Sequence, residues 1–124
     1  MSIAPDDFMS ALQEAEREHR SDLVVDLFAP QGRCANLTHE AYGLDEVRDF
    51  WDTYLGSFIE VASEFAHVIE HSAGFVLEWV AHGVLANGEP VGYRGVSLID
   101  VGPEGIESFR TYYDSAVFVP QAAR

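Results

Sequence analysis

The run Tyr93-Arg94-Gly95-Val96-Ser97-Leu98-Ile99-Asp100-Val101, then Gly102-Pro103-Glu104-Gly105, then Ile106-Glu107-Ser108-Phe109-Arg110-Thr111-Tyr112-Tyr113-Asp114, decides the fold. Two β-rich stretches flank a turn of Gly, Pro, Glu and Gly, whose backbone angles suit a chain reversal. Upstream, Phe75, Leu77, Trp79, Ala81 and Leu85 alternate with Val76, Glu78, Val80, His82 and Val84, so 74–86 reads as a strand. Asn87-Gly88 is a two-residue hairpin signal that sends 91–101 back antiparallel, and 106–118 completes the meander. A helical first half joined to such a meander predicts an α+β domain: a cone-shaped, curved sheet wrapped around N-terminal helices, with a pocket between them.

The helices are legible from period and caps. Pro5, Asp6 and Asp7 open a helix over 5–20 carrying Phe8, Leu12 and Ala15. Ser21 or Asp22 caps a short second helix, which Pro30 and Gly32 end. Arg33 to Leu37 is a candidate short strand. Val47, Phe50, Trp51, Tyr54, Leu55 and Phe58 recur at steps of three and four, giving an amphipathic helix that Gly56 closes. Residues 59–71 fit either period. The separation of Glu60, Glu64 and Glu70 from apolar neighbours is cleaner at period two, so they are read as strand. The expected set is three helical segments, a short strand and four long strands, in one domain spanning 1–124.

Composition narrows function. The chain has 124 residues and a formal charge of −14, which repels phosphate backbones and anionic lipid surfaces; neither nucleic acid nor membrane is an expected partner. Hydrophobic residues make up 48% of the chain, enough for a sizeable core. The single cysteine, Cys34, cannot form an intramolecular disulfide. No apolar run approaches the roughly 18 residues of a membrane span. With no basic, apolar leader at the start, the cytoplasm is the default location.

Leu27-Phe28-Ala29-Pro30, a following strand, and Ala41-Tyr42-Gly43-Leu44-Asp45-Glu46-Val47 opening an aromatic-striped helix resemble the SnoaL-like branch of the nuclear transport factor 2-like superfamily. The ending Ile106 to Asp114 is similar to the last strand of that family. The resemblance implies a conical pocket that binds a small apolar or amphipathic molecule. It includes polyketide cyclases, ketosteroid isomerases and limonene-epoxide hydrolases, so isomerisation, cyclisation and dehydration are the candidate reactions. A non-catalytic ligand-binding or dimeric assembly domain is the alternative. Over the hydrolase pattern, Cys34 and Asn36 fall where a Tyr and an Asn hold a water; only the Asn matches. Thr111 stands where hydrolases and cyclases place an acid. The hydrolase's inward Arg and Asp fall near Val80 and His82 in one register and at Trp79 and Ala81 in the other. Neither register supplies the pair.

The remaining candidates follow from side-chain chemistry. Tyr113, His82 and His39 are the proton-handling candidates. Asn36, Trp51, Tyr54, Trp79, Phe109 and Thr111 are the candidate ligand contacts, with Phe109, Thr111 and Tyr113 sharing one face of the last strand. Glu78 lies four residues from His82 on the same face and is read as its possible orienting partner, or else as part of a solvated outer face. His67 and His71 lack further ligands, so no metal is expected, and no cofactor is expected either. Val76, Val80, Val84, Val96 and Leu98 crowd the outer sheet face beside Glu78, His82 and Arg94, and together with the family's habit they predict a homodimer.

Overall fold

The computed structural model describes residues 3–119; residues 1, 2 and 120–124, the ends of the expected 1–124 domain, lie outside the described residues. The order is α1 (Pro5–Glu18), α2 (Asp22–Val25), β1 (Phe28–Ala35), β2 (Glu40–Tyr42), α3 (Gly43–Gly56), β3 (Phe58–His71), β4 (Gly74–Leu85), β5 (Pro90–Gly102) and β6 (Gly105–Tyr113), then a 3₁₀ turn over Ser115–Phe118. One curved, unclosed sheet runs β2-β1-β6-β5-β4-β3. The β1–β6 pair is parallel and the others are antiparallel, so the sheet is mixed.

The alternation of β4 sorts the two faces. Phe75, Leu77, Trp79, Ala81 and Leu85 are buried on the concave face, under the helices. From β5 and β6 come Tyr93, Ser97, Ile99, Phe109 and Thr111, all buried there too. The stripe of α3 faces them: Val47, Trp51 and Leu55 are buried at successive turns. Phe8 of α1 packs between Trp51 and Phe109, with ring centroids 6.5 and 5.7 Å away. Residues 59–71 are strand, as period two indicated.

The edge of β3 is handled by α1. A free strand edge presents unpaired N–H and C=O groups. Here Ser63 N–H donates to Glu16 Oε1 (2.9 Å), Gln13 Nε2 donates to the Ser63 carbonyl (3.1 Å), and His19 Nε2 bonds the Ile59 carbonyl (3.0 Å).

Four details depart from the sequence reading. Pro30 and Gly32 do not end a helix; α2 stops at Val25, and both residues lie within β1. Proline is tolerated because β2 pairs only with Arg33–Ala35, leaving Pro30 beyond its reach on an open edge. At Gly32 a Cβ would come 2.7 Å from the Ile106 carbonyl oxygen, so the close approach of β1 to β6 requires glycine. The expected strand 33–37 ends at Ala35, where the Asn36 side chain folds the chain into β2, an element of three residues that periodicity does not reveal. The last strand ends at Tyr113 rather than 118, because Asp114 Oδ1 accepts the Ala116 N–H (2.9 Å) and turns the backbone. Among the described residues no helix is long and apolar enough to cross a membrane.

Candidate functional site

A cavity of about 360 Å³ lies between α3 and the concave sheet face. Its wall is largely aromatic: Phe50, Trp51 and Tyr54 from α3, Trp79 from β4, Phe109 and Tyr113 from β6. Phe118, carried by the 3₁₀ turn, closes one side, with ring centroids 5.2 Å from Tyr93 and 5.9 Å from Tyr113. Such a volume and lining suit a small, mostly apolar molecule.

The polar groups of the cavity are mostly committed to one another. Trp79 Nε1 donates to Ser97 Oγ (2.9 Å), and Ser97 Oγ shares a hydrogen bond with Thr111 Oγ1 (2.9 Å). This chain runs across three neighbouring strands, because Trp79 pairs with Gly95 and Ser97 with Thr111 in register. Glycine at 95 is required: a Cβ there would sit 2.7 Å from the Trp79 ring. The Tyr54 and Tyr93 hydroxyls hydrogen-bond to each other. Burial pushes both phenols well above the ordinary tyrosine range, and mutual repulsion adds to the rise at Tyr54. Burial also raises Tyr113, while the Asn36 amide beside it works the other way. All three stay protonated through the neutral range and serve as neutral hydrogen-bonding groups.

Asn36 has two jobs. Its Oδ1 accepts the backbone N–H groups of Thr38 (3.0 Å) and His39 (2.9 Å), which builds the β1–β2 turn, and its side chain lies beside Tyr113 in the cavity lining. His39 lies on the same turn, exposed at the rim. The nine expected site residues therefore divide cleanly. Asn36, His39, Trp51, Tyr54, Trp79, Phe109, Thr111 and Tyr113 line the cavity. His82 does not: it is exposed on the outer face, where the pleat of β4 puts every even-numbered residue. Nor does Glu78 orient it, since Glu78 Oε1 bonds His67 Nδ1 across the strand pair at 2.6 Å.

Cys34 is 1% exposed, and burial lifts its thiol to about 12, against a smaller opposing effect of the Trp51 indole. It is not a thiolate nucleophile. Trp51 Nε1, fully buried, has no nitrogen or oxygen partner; the Cys34 sulfur is its polar neighbour.

The sequence reading missed Glu16, the buried acid of the interior. It is 2% exposed, and Ser63, which lines the cavity, donates to it from both its backbone N–H and its hydroxyl (Oγ to Oε2, 2.5 Å). Burial raises the Glu16 carboxyl above its usual range, partly offset by these two bonds. The signal was present, since Glu16 falls four residues after Leu12 and eight after Phe8, on the apolar stripe of α1. Asp49 and Thr53 on α3, Ser97 on β5 and Phe118 were also not singled out.

Comparison with known proteins agrees with this architecture. A model of the SnoaL-like domain matches residues 8–110. No curated protein matches significantly. Among solved structures, a protein with ketosteroid isomerase-like fold from Catenulispora acidiphila DSM 44928, crystallised with trimethylamine, superposes with a TM-score of 0.82 at 16% identity, covering 98% of this chain and 95% of that one. A SnoaL-like polyketide cyclase candidate from Jannaschia sp. CCS1 superposes at 0.73 with 14% identity, covering 97% and 99%. TerC co-crystallised with polyporic acid superposes at 0.76 with 11% identity, covering 91% and 93%. Identities this low speak to the fold, but the family model spans most of the chain, from the first core residue of α1 to the last strand: this chain belongs to the SnoaL-like domain family.

Proposed function

We propose that this chain is a single-domain small-molecule-binding protein whose ligand is mostly apolar and sits between α3 and the sheet. The observation that carries the reading is the aromatic cavity in which the Tyr54, Ser97 and Thr111 hydroxyls are paired within the protein, leaving apolar wall as the main surface on offer. The structural relatives crystallised with an amine and with an acid show that this fold accommodates small organic molecules. Thr53 tests it. This residue is exposed on α3 and lines the mouth, so Thr53→Trp fills the entrance without touching the core. Ligand affinity should fall at least about tenfold, with unfolding unchanged. Unaltered affinity in a stably folded variant would refute binding through this mouth.

A second reading, catalysis, is favoured by one contact: the Tyr113 phenol faces the cavity with the Asn36 amide beside it. In an isomerisation, cyclisation or dehydration, Tyr113 would donate a hydrogen bond to developing negative charge, and Asn36 would hold the phenol in place. His39 at the rim is the remaining proton-handling candidate. Tyr113→Phe should then slow turnover about a hundredfold, while His82→Ala, on the opposite face, should leave it unchanged. Equal turnover in wild type and Tyr113→Phe would remove the phenol from the mechanism.

The outer face supports pairing of two copies. Val76, Val80, Val84, Val96 and Leu98 are half-buried there, with Ile69 and Tyr112 exposed at 61% and 43%. A contiguous apolar patch of this kind is uncommon on a monomer. Light scattering should give twice the 13.7 kDa chain mass, and Leu98→Asp should return it to one chain. A wild-type mass of one chain at micromolar concentration would contradict the dimer.

A further inference from the structure

We propose that the cavity selects a cationic ligand, a tertiary or quaternary ammonium carried on an apolar body. The proposal rests on the binding reading above and adds the charge of the ligand. Three independent observations converge on it.

The wall is rich in aromatic rings. Trp51, Tyr54, Trp79, Tyr113 and Phe118 surround the same space, and ring faces attract a cation placed within about 6 Å of the centroid. Trp79, Tyr113 and Phe118 are mutually tilted rather than stacked, Trp79–Tyr113 at 60° and Tyr113–Phe118 at 63°, so their faces are turned in different directions.

The charges around the cavity have one sign. No arginine lines it, and the chain contains no lysine. Asp49 stands at the mouth on α3, and the Glu16 carboxyl lies just behind Ser63, which donates to it from both its backbone N–H and its hydroxyl. The basic side chain in the lining is His39, at the rim; Arg48, next to Asp49 in sequence, is exposed and outside the lining. The net charge of −14 extends this field outward and draws cations toward the mouth.

Donors that an anion would need are few, and several are paired within the protein. The Tyr54 and Tyr93 hydroxyls bond each other, Trp79 Nε1 bonds Ser97, Ser97 bonds Thr111, and Trp51 Nε1 faces the Cys34 sulfur. What remains is the Tyr113 O–H, one O–H from each hydroxyl pair and the Asn36 amide, with His39 at the rim, and none of these is a lysine or arginine. A carboxylate or phosphate entering here would exchange its water for a few neutral donors beside acidic neighbours. A primary ammonium would need several acceptors at once for its N–H groups, and Asp49 at the mouth is the carboxylate in the lining. A methylated ammonium carries few or no N–H groups and is satisfied by ring faces and a nearby carboxylate.

The test compares three probes of similar shape on the full chain: phenyltrimethylammonium, its neutral carbon counterpart tert-butylbenzene, and benzoate. Binding is read from tryptophan fluorescence, since both tryptophans, Trp51 and Trp79, line the cavity. Phenyltrimethylammonium should bind at least about tenfold more tightly than tert-butylbenzene, and benzoate should bind most weakly. Asp49→Asn should narrow the gap between the cation and the neutral probe, and an unchanged gap would count against charge selection. If tert-butylbenzene binds as tightly as the cation, or benzoate more tightly, the charge selectivity is wrong and the apolar cavity reading stands. If none of the three binds, both readings fall.

Discussion

Trp51→Ala should lower the free energy of unfolding by about 3–5 kcal/mol. Trp51 is 3% exposed and touches the rings of Phe50, Tyr54, Phe109 and Phe8, with centroids 5.1 to 6.5 Å away. It forms one wall of the cavity and also joins α3 to α1 and the sheet. Truncation therefore removes core packing and leaves a larger void that the backbone cannot close. No hydrogen bond of the described residues offsets this, because Nε1 has no nitrogen or oxygen partner to lose. Urea denaturation monitored by circular dichroism measures the change. A loss below about 1 kcal/mol would mean that Trp51 is a cavity-lining residue with no structural load.

The second large effect belongs to Glu16. Glu16→Ala strands the Ser63 N–H and hydroxyl in a buried place, at a cost of about 1–3 kcal/mol for each unsatisfied group. The pH dependence then separates hydrogen bonding from charge. Because burial raises the folded-state pKa of Glu16 above its unfolded value, the folded protein holds this proton more tightly than the unfolded chain does. Its contribution is fully present below the unfolded value near 4.5 and is lost as pH rises through the folded value. Glu16→Gln carries no titrating group, so the stability of wild type relative to this variant should fall as pH is raised through that window. A pH-independent difference between the two would show that Glu16 titrates as an ordinary exposed carboxylate.

The fold was readable because its decisive signals are local. The alternation along 74–86, the Asn87-Gly88 turn, the Gly102–Gly105 turn and the stripe of α3 each depend on a few neighbouring residues, and each describes an element that formed. Bulges broke the alternation where it was counted too far. Glu107 has the same parity as Phe109 and Thr111 yet is exposed, because the β5–β6 register shifts at Asp100–Val101 and hands the inward position to Ile106. The same happens in β3 between Phe65 and His67, after which the strand runs exposed to His71.

The site was half legible. Residues on the inner face of β6 and on the stripe of α3 could be named from period alone. Glu16 was passed over because a carboxylate on an apolar stripe reads as a helix-surface residue until its partner on β3 is known, 47 positions away. His82 was named for its chemistry, and its parity on β4 puts it on the outer face, away from the cavity. The functional groups of this cavity lie where several strands and helices converge, and no single stretch of sequence records that convergence.

The central claim, that a small molecule binds between α3 and the concave face of the sheet, is tested most directly by nuclear magnetic resonance on isotope-labelled protein titrated with phenyltrimethylammonium and tert-butylbenzene. The chain has two indole Nε1–H signals, from Trp51 and Trp79, and both side chains line the cavity. Both signals should shift on titration with at least one probe, together with amides of Tyr54, Phe109 and Tyr113, while Val76 and Val84 on the outer face stay still. Indole signals that do not move, or shifts confined to the outer face, would contradict it.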